Sequence, residues 1–406
     1  MSVLVKIYKY AFILLIFTTF VFMTGSLYGI DIKLFLAGVS SFALIVILYS
    51  QKKTINKFNL ALLVSFFVLY FFSALIGILK GFNESYVLGE LIGLLSPILV
   101  IALYRSDFVS IITLKKTMLY GAFTYSLLKV MAATLISTGV LSFTTFFNTI
   151  ETIFGYRLVS MLISQEYNIV RIYIVNDLLI AFTPIILFSA QKVIKSKILI
   201  TITYITLLLS MLLCYSRFLL VIYLIASLLP FFSIVKLNIN KVIISVFTLG
   251  FSLIYLTING LPESISKRFS TSDINNISSD GIRNEQFEAI VKMISENLFL
   301  GAGIGSYSSQ YIRTEYIYEL QWLSMVFKFG FPAFIILVTL ILLYLNKNFK
   351  INYKSLISIS LLLSSGLFNP YLQSTVMGVA MLLMYSEYHL LESKEKEVTI
   401  LRSLEL

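Results

Sequence analysis

The feature that most constrains this chain is its succession of apolar runs, each long enough to cross a lipid bilayer and separated mostly by short polar connections. A helix needs roughly 20 apolar residues to span about 30 Å of hydrocarbon, and only closed hydrogen-bonding patterns survive there. Such runs fall at about 10–30, 32–49, 58–79, 86–104, 117–138, 172–190, 198–214, 218–235, 242–259, 321–345, 355–371 and 373–389. The sequence therefore predicts an all-α polytopic membrane protein with about twelve transmembrane helices. With 58% hydrophobic and 13% charged residues and a mean hydropathy of +0.93, the chain is far too apolar for a water-facing surface. No small-residue cleavage site precedes Asp31, so the first run is read as a retained helix.

Charge sets the expected orientation. With the N-terminus inside, the cytoplasmic connections carry Lys52, Lys53 and Lys57; Arg105, Lys115 and Lys116; Lys192, Lys195 and Lys197; Lys236 and Lys241; and Lys347, Lys350 and Lys354. The short outer connections hold little beyond Lys33, Lys80 and Arg217, as the positive-inside rule requires. Both termini, including the tail 390–406, are then cytoplasmic. The net charge of +11 follows from this asymmetry and suits anionic lipid, so it gives no reason to invoke nucleic acid. Cys214 and His389 stand alone in their residue types, which excludes a disulfide framework and any His/Cys metal site. Cys214 reads as apolar packing.

Two outer segments are long: 139–171, and the large loop 260–320. Both are expected to fold against the membrane body, and Asp280 to cap a helix through GIRNEQFEAIVKMISEN that stops at GAGIG. Those glycines lack the preceding strand of a dinucleotide site and are read as a break that turns the chain back to the bundle.

Ionisable groups near membrane depth are costly and are kept for pairing or function. Arg217, in YSRFLL, falls between two apolar runs at the outer lip, as an anchor or an anion ligand. Arg283 shares a helical face with Phe287, Ile290 and Ile294 and so needs an anionic partner there: Asp177, Glu319 or a bound phosphate. Glu319, at the outer start of a span, is either a solvated helix-start carboxylate or a general base, with Glu315 as substitute. Tyr307, Tyr311, Tyr316, Tyr318 and Trp322 suit sugar stacking or an interfacial aromatic belt. Arg157, Arg171 and Asp177 frame the other outer segment as supporting charges, and Lys129 and Lys328 lie inside spans, to snorkel, pair or line the site.

Four stretches together resemble the bacterial polysaccharide polymerase and ligase superfamily, which includes the O-antigen polymerases and ligases. YSRFLL resembles its Ser-Arg motif, and GIRNEQFEAIVKMISENLFLGAGIGSY its outer-loop helix ending in Gly301, Gly303 and Gly305. YELQWLSMVFKFGFPAFI is similar to the segment entering the next span, where ligases carry a His-Asn pair eleven residues before a glycine; here that position is Glu319, before Gly330. FNPYLQSTVMG resembles the Asn-Pro turn of polymerases, and VNDLLIAF an Asn-containing span start. With glutamate where a ligase has histidine, the polymerase resemblance survives better.

The resemblance implies a class-C glycosyltransferase-like fold in the bacterial inner membrane, with its active site facing the periplasm and no cofactor. Its substrates would be undecaprenyl-diphosphate-linked oligosaccharides joined with inversion, Arg217 and Arg283 holding the diphosphate and Glu319 taking the acceptor proton. Whether a chain-length regulator is a partner stays open. An O-antigen ligase and a lipid-linked oligosaccharide flippase are the alternatives; a flippase is expected to use midplane sites within internal repeats, which this sequence lacks.

Overall fold

The computed structural model describes residues 2–22, 26–51, 57–155, 159–164, 169–189, 196–231, 274–310, 316–367 and 369–389. The protein is an all-α membrane protein. Among the described residues, six helices are long and apolar enough to cross a bilayer: α1 (Ser2–Val21), α2 (Ile32–Ser50), α3 (Lys57–Leu79), α4 (Glu84–Leu103), α5 (Ile111–Ser137) and, near the C-terminal end, Phe331–Asn348. Shorter apolar helices come after α5: α7 (Asp177–Ser189), α8 (Lys197–Leu212) and α9 (Arg217–Leu228), beyond a short α6 (Phe143–Phe154). The remaining helices are α10 (Ile274–Glu296), α11 (Gln321–Phe329), α12 (Phe331–Asn348), α13 (Tyr353–Ser364) and α14 (Thr375–Tyr388). Large apolar side chains such as Phe42, Leu75, Ile92 and Leu342 point outward, the pattern expected where the solvent is lipid.

The helix boundaries correct several expectations. The run predicted over 10–30 ends at Val21, after which β1 (Ser26–Leu27) and β2 (Ile30–Asp31) form a tight hairpin. The run predicted over 172–190 begins its helix only at Asp177, whose carboxylate Oδ2 accepts the Ile174 N–H at 2.8 Å and so fixes the turn that leads into it. The single span expected over 321–345 is two helices, because Gly330 takes φ 78° and Pro332 is tolerated only in the first turn of a helix, here α12. Asp280 is not an N-cap: α10 already begins at Ile274. The segment 139–171, expected on the outer face, holds α6 and runs into the antiparallel pair β3 (Val159–Ser164) and β4 (Ile169–Tyr173). The span expected at 242–259 and the tail 390–406 lie outside the described residues.

The chain forms two compact units, one of Met1–Leu15, Phe35–Leu114 and Ile282–Leu406, the other of Ile16–Leu34 and Lys115–Gly281. In the first, α4 packs against α3 and α14, and α3 also against α12. Gly378 lets α14 approach closely, since a Cβ there would lie 2.9 Å from Pro97 Cα. In the second, α7 is buried from Asp177 to Leu187 and packs on α8 and α9. Asn176, just before it, donates to the carbonyls of Thr19, Phe20 and Phe22 and so satisfies the end of α1, which has no later turn to bond to.

The glycine-rich loop after α10 threads between helices of the first unit. Gly303 takes φ 92°, and a Cβ there would meet the backbone N of Gly77 on α3 at 2.1 Å. The loop is sewn in by backbone bonds: Ala302 N donates to Phe327 O at 2.6 Å, Gly303 N to Lys328 O at 2.9 Å, and Ile304 N to Ser73 O at 3.1 Å. Gly303→Ala should therefore lower the thermal midpoint of purified protein sharply, by a cost above about 2 kcal/mol. Gly38→Ala, in an open helix position with nothing within 4 Å, should leave the midpoint unchanged or raise it.

Candidate functional site

In the first unit, α10 rests on a small core of its own. Ala289 and Ile290 are buried against Ala302, Tyr318 and Phe327, with Met293, Ile294, Phe82, Leu320 and Leu323 around them. The buried stripe therefore runs through Gln286, Ala289 and Ile290, while Phe287, expected on it, is exposed. Repeats of three and four residues put Arg283 at the outer end of that stripe.

Arg283 meets Glu319 there. Its Nε lies 3.2 Å from Glu319 Oε2, and the two side chains are 34% and 37% exposed, so both remain reachable from outside. Of the two carboxylates considered for Arg283, Glu319 is the one it meets among the described residues. Gln286, which the sequence did not single out, accepts the Glu319 backbone N–H at 3.1 Å through its buried carboxamide oxygen and fixes where that carboxylate stands. A polar residue in an otherwise apolar helical stripe was the available signal.

Beneath this pair is a fully buried charge cluster. Lys328 on α11 reaches Glu90 on α4 at 2.5 Å, with both side chains at most 2% exposed. The Glu90 carboxylate also accepts Gly305 N at 2.7 Å and Gln373 Nε2 at 2.7 Å, and Lys328 donates to Tyr316 O at 2.6 Å. Gln373 arrives through the Asn369-Pro370 turn, whose neighbour Leu372 donates its N–H to Gln321 Oε1 at 2.8 Å. Lys328 thus pairs rather than snorkels. Glu90 was missed, although a carboxylate inside LGELIGLL carries the same signal that marked Lys129 and Lys328.

The second unit holds a parallel cluster. Asp177, buried completely, accepts Lys129 Nζ and Tyr125 Oη at 2.8 Å each, and Lys129 also donates to Cys214 Sγ at 3.0 Å. Asp177, expected among the charges around the substrate, is instead a structural anion, because its two oxygens are taken up by Lys129, Tyr125 and the Ile174 N–H. Cys214 is a polar partner of Lys129, not inert packing. Arg171, half-buried on β4, donates through Nε to Cys214 O at 3.0 Å and stacks on Tyr173, so it ties the hairpin to the turn after α8. Arg217 opens α9 behind its Ser216 cap and is exposed, with no hydrogen-bond or ion-pair partner among the described residues. Tyr215 beside it takes φ 48°, and burial pushes its phenol above the usual range, which keeps it a donor.

Of the aromatic candidates, Tyr307 packs edge-on to Phe82 and Tyr86 and lines a polar cleft of about 550 Å³ with Lys80, Lys292, Glu296 and Asn297. Lys292 is nine residues from Arg283, about 14 Å along α10. Trp322 is corrected: its indole N–H donates to Leu363 O at 2.7 Å and its ring lines an apolar cavity within the helices, away from that cleft. Tyr316 and Tyr318 are structural, the latter buried and accepting Ser308 N at 2.7 Å. Arg157, Tyr311 and Glu315 lie outside the described residues. Among the described residues no three His, Cys, Asp or Glu side chains are grouped to hold a metal ion.

Compared with known proteins, the chain matches no protein-family model and no curated protein.

Removing one member of a buried ion pair strands the other in a medium that cannot solvate it, at about 3–5 kcal/mol. Glu90→Gln and Lys328→Met should each lower folded yield and thermal midpoint markedly. The double variant should recover much of that loss, measured as a thermal-melt cycle in detergent; additive losses would show that the two groups do not act as a pair.

Proposed function

We propose that this protein is a surface-polysaccharide polymerase of the O-antigen type, joining undecaprenyl-diphosphate-linked oligosaccharides at the outer face of the membrane with Glu319 and Arg283 at the reacting centre. The observation that carries the reading is the half-exposed Arg283–Glu319 pair, held by a packed outer-loop helix. The Glu90–Lys328 pair of the same unit, by contrast, is sealed from any substrate.

The chemistry asks little of the protein beyond charge placement. The acceptor hydroxyl oxygen attacks the donor's anomeric carbon, the bond from that carbon to the phosphate oxygen breaks, and the electron pair leaves with the polyprenyl diphosphate. The acceptor proton goes to Glu319. A guanidinium matches phosphate geometry and stabilises the charge that develops on the leaving group. A bound diphosphate competes with Glu319 for Arg283, so donor binding itself would loosen the carboxylate from its cation and ready it as a base. Arg217, exposed at the head of α9 in the other unit, is a second guanidinium open to an anionic ligand. The cleft beside Tyr307, with aromatic rings and hydrogen-bonding side chains, has the chemistry to take sugar. The outer histidine a ligase would use has no counterpart, since His389 is buried at the end of α14.

A half-exposed ion pair contributes no more than about 1 kcal/mol to stability. Glu319→Gln should therefore leave the protein in the membrane with an unchanged melting point while elongation of a purified lipid-linked substrate falls about 100-fold or more. Arg283→Ala should act similarly, and in cells both should leave core plus one repeat unit in place of a ladder. Full-length ladders with both variants would sink the assignment, and a deletion strain that changes only the sidedness of lipid-linked sugars would favour a flippase.

A further inference from the structure

A second large space in the first unit has different chemistry. A cavity of about 530 Å³ runs beside α4 between α2, α3, α12 and α14, walled by Leu44, Phe66, Leu94, Ile98, Met325 and Met381. Its lining also includes Ile45, Leu60 and Leu99, which are exposed on the outer surface of the helices, so it opens sideways onto the face that meets lipid. From Leu94 to Leu103 the wall follows nine residues of helix rise, about 14 Å. That is close to one leaflet, half of the roughly 30 Å hydrocarbon core.

One end of this apolar slot is polar. The end of α2, the start of α3 and the ends of α4 and α12 meet there, bringing Asn59, Tyr104, Arg105 and Asn348 into the lining. Tyr104 is 9% exposed, yet among the described residues its Oη has no hydrogen-bond partner, and neither has the shielded Nε of Arg105 beside it. Two unsatisfied donors at the end of an apolar slot are costly unless something supplies an acceptor. Lys347, over the Phe58 ring at 5.8 Å, adds positive charge at the same helix ends. The basic connections of α2–α3, after α4 and after α12 are the ones charge asymmetry assigns to the cytoplasmic side.

We propose that this cavity binds an anionic phospholipid of the inner leaflet, one acyl chain lying along α4 and the phosphate accepting hydrogen bonds from Arg105 Nε and Tyr104 Oη. The apolar length selects a lipid over a soluble anion, and the two unmet donors select a phosphate whose negative charge is not cancelled by a headgroup cation. Basic pockets between transmembrane helices on this side are suited to such headgroups.

The single tryptophan of the chain lines the cavity and reports directly on an acyl chain inside it. Full-length protein in detergent would be titrated with phosphatidylglycerol or phosphatidylcholine, each brominated on its acyl chains, following quenching of Trp322. Phosphatidylglycerol should half-saturate quenching at about fivefold lower mole fraction. Arg105→Gln should erase that preference, Arg105→Lys should retain part of it, and Ile98→Phe should weaken quenching by both lipids by filling the slot. Equal quenching by the two lipids in wild type, no quenching, or a preference that survives Arg105→Gln would each overturn the proposal. Relief of quenching by inorganic phosphate would overturn it in favour of a free anion. Relief by a polyprenyl phosphate, but not by unbrominated phosphatidylglycerol, would overturn it in favour of a lipid carrier. Should Arg105→Gln not fold, the wild-type headgroup comparison decides alone.

Discussion

A carboxylate buried among apolar helices has no water to solvate it, and the architecture of the first unit is organised around meeting that demand at Glu90. Its two oxygens take Lys328 Nζ, Gly305 N and Gln373 Nε2, from three separate segments of the chain. Each donor fixes its own piece: Lys328 the end of α11, Gly305 the glycine loop, Gln373 the turn before α14. Because the loop is pinned at Gly305 and also bonded to α3 and α11, the helix that precedes it has a defined seat. Arg283 is placed on Glu319 as a consequence, through a chain of backbone contacts that begins far from either residue.

The charged residues then sort by solvation rather than by type. Lys328–Glu90 and Lys129–Asp177 are sealed pairs whose attraction offsets a desolvation cost of several kcal/mol per ion, and each holds its unit together. Arg283–Glu319 gains little as a pair because water still reaches it, which leaves both groups available to a ligand. The same distinction separates the two large spaces. The polar cleft at Tyr307 can take hydrophilic substrate, whereas the slot along α4 can hold only something mostly hydrocarbon.

Much of this was legible residue by residue. Runs such as LALLVSFFVLYFFSALIGIL could only be buried in lipid or core, and α3 spans that run. The stop of α10 before GAGIG was readable because a glycine at every second residue disfavours helix. Glu319, eleven residues before Gly330, stands beside Arg283 as one of the weighed partnerships. Other features were hidden. The break at Gly330 is masked by apolar residues on both sides, which hydropathy reads as one span. Gln286 and Glu90 look like isolated polar residues until their partners, distant along the chain or across a helix face, are known. Asp177 and Trp322 were expected beside the sugar substrate because of where they sit in the chain, yet the partners that the fold brings to them decide their roles.

The sequence by itself determined that this protein lives in a membrane, that it is helical, and that its ionisable groups are sparse within the apolar runs. Those conclusions come from composition and period, which are local and additive along the chain. Only the tertiary structure decided which charges are spent on each other and which stay exposed. Pairing depends on distances between residues as far apart as Glu90 and Gln373, and no local pattern encodes a distance. It also decided that the glycine loop is a wedge between helices and that the slot along α4 ends on two unmet donors, since both are properties of the space between elements.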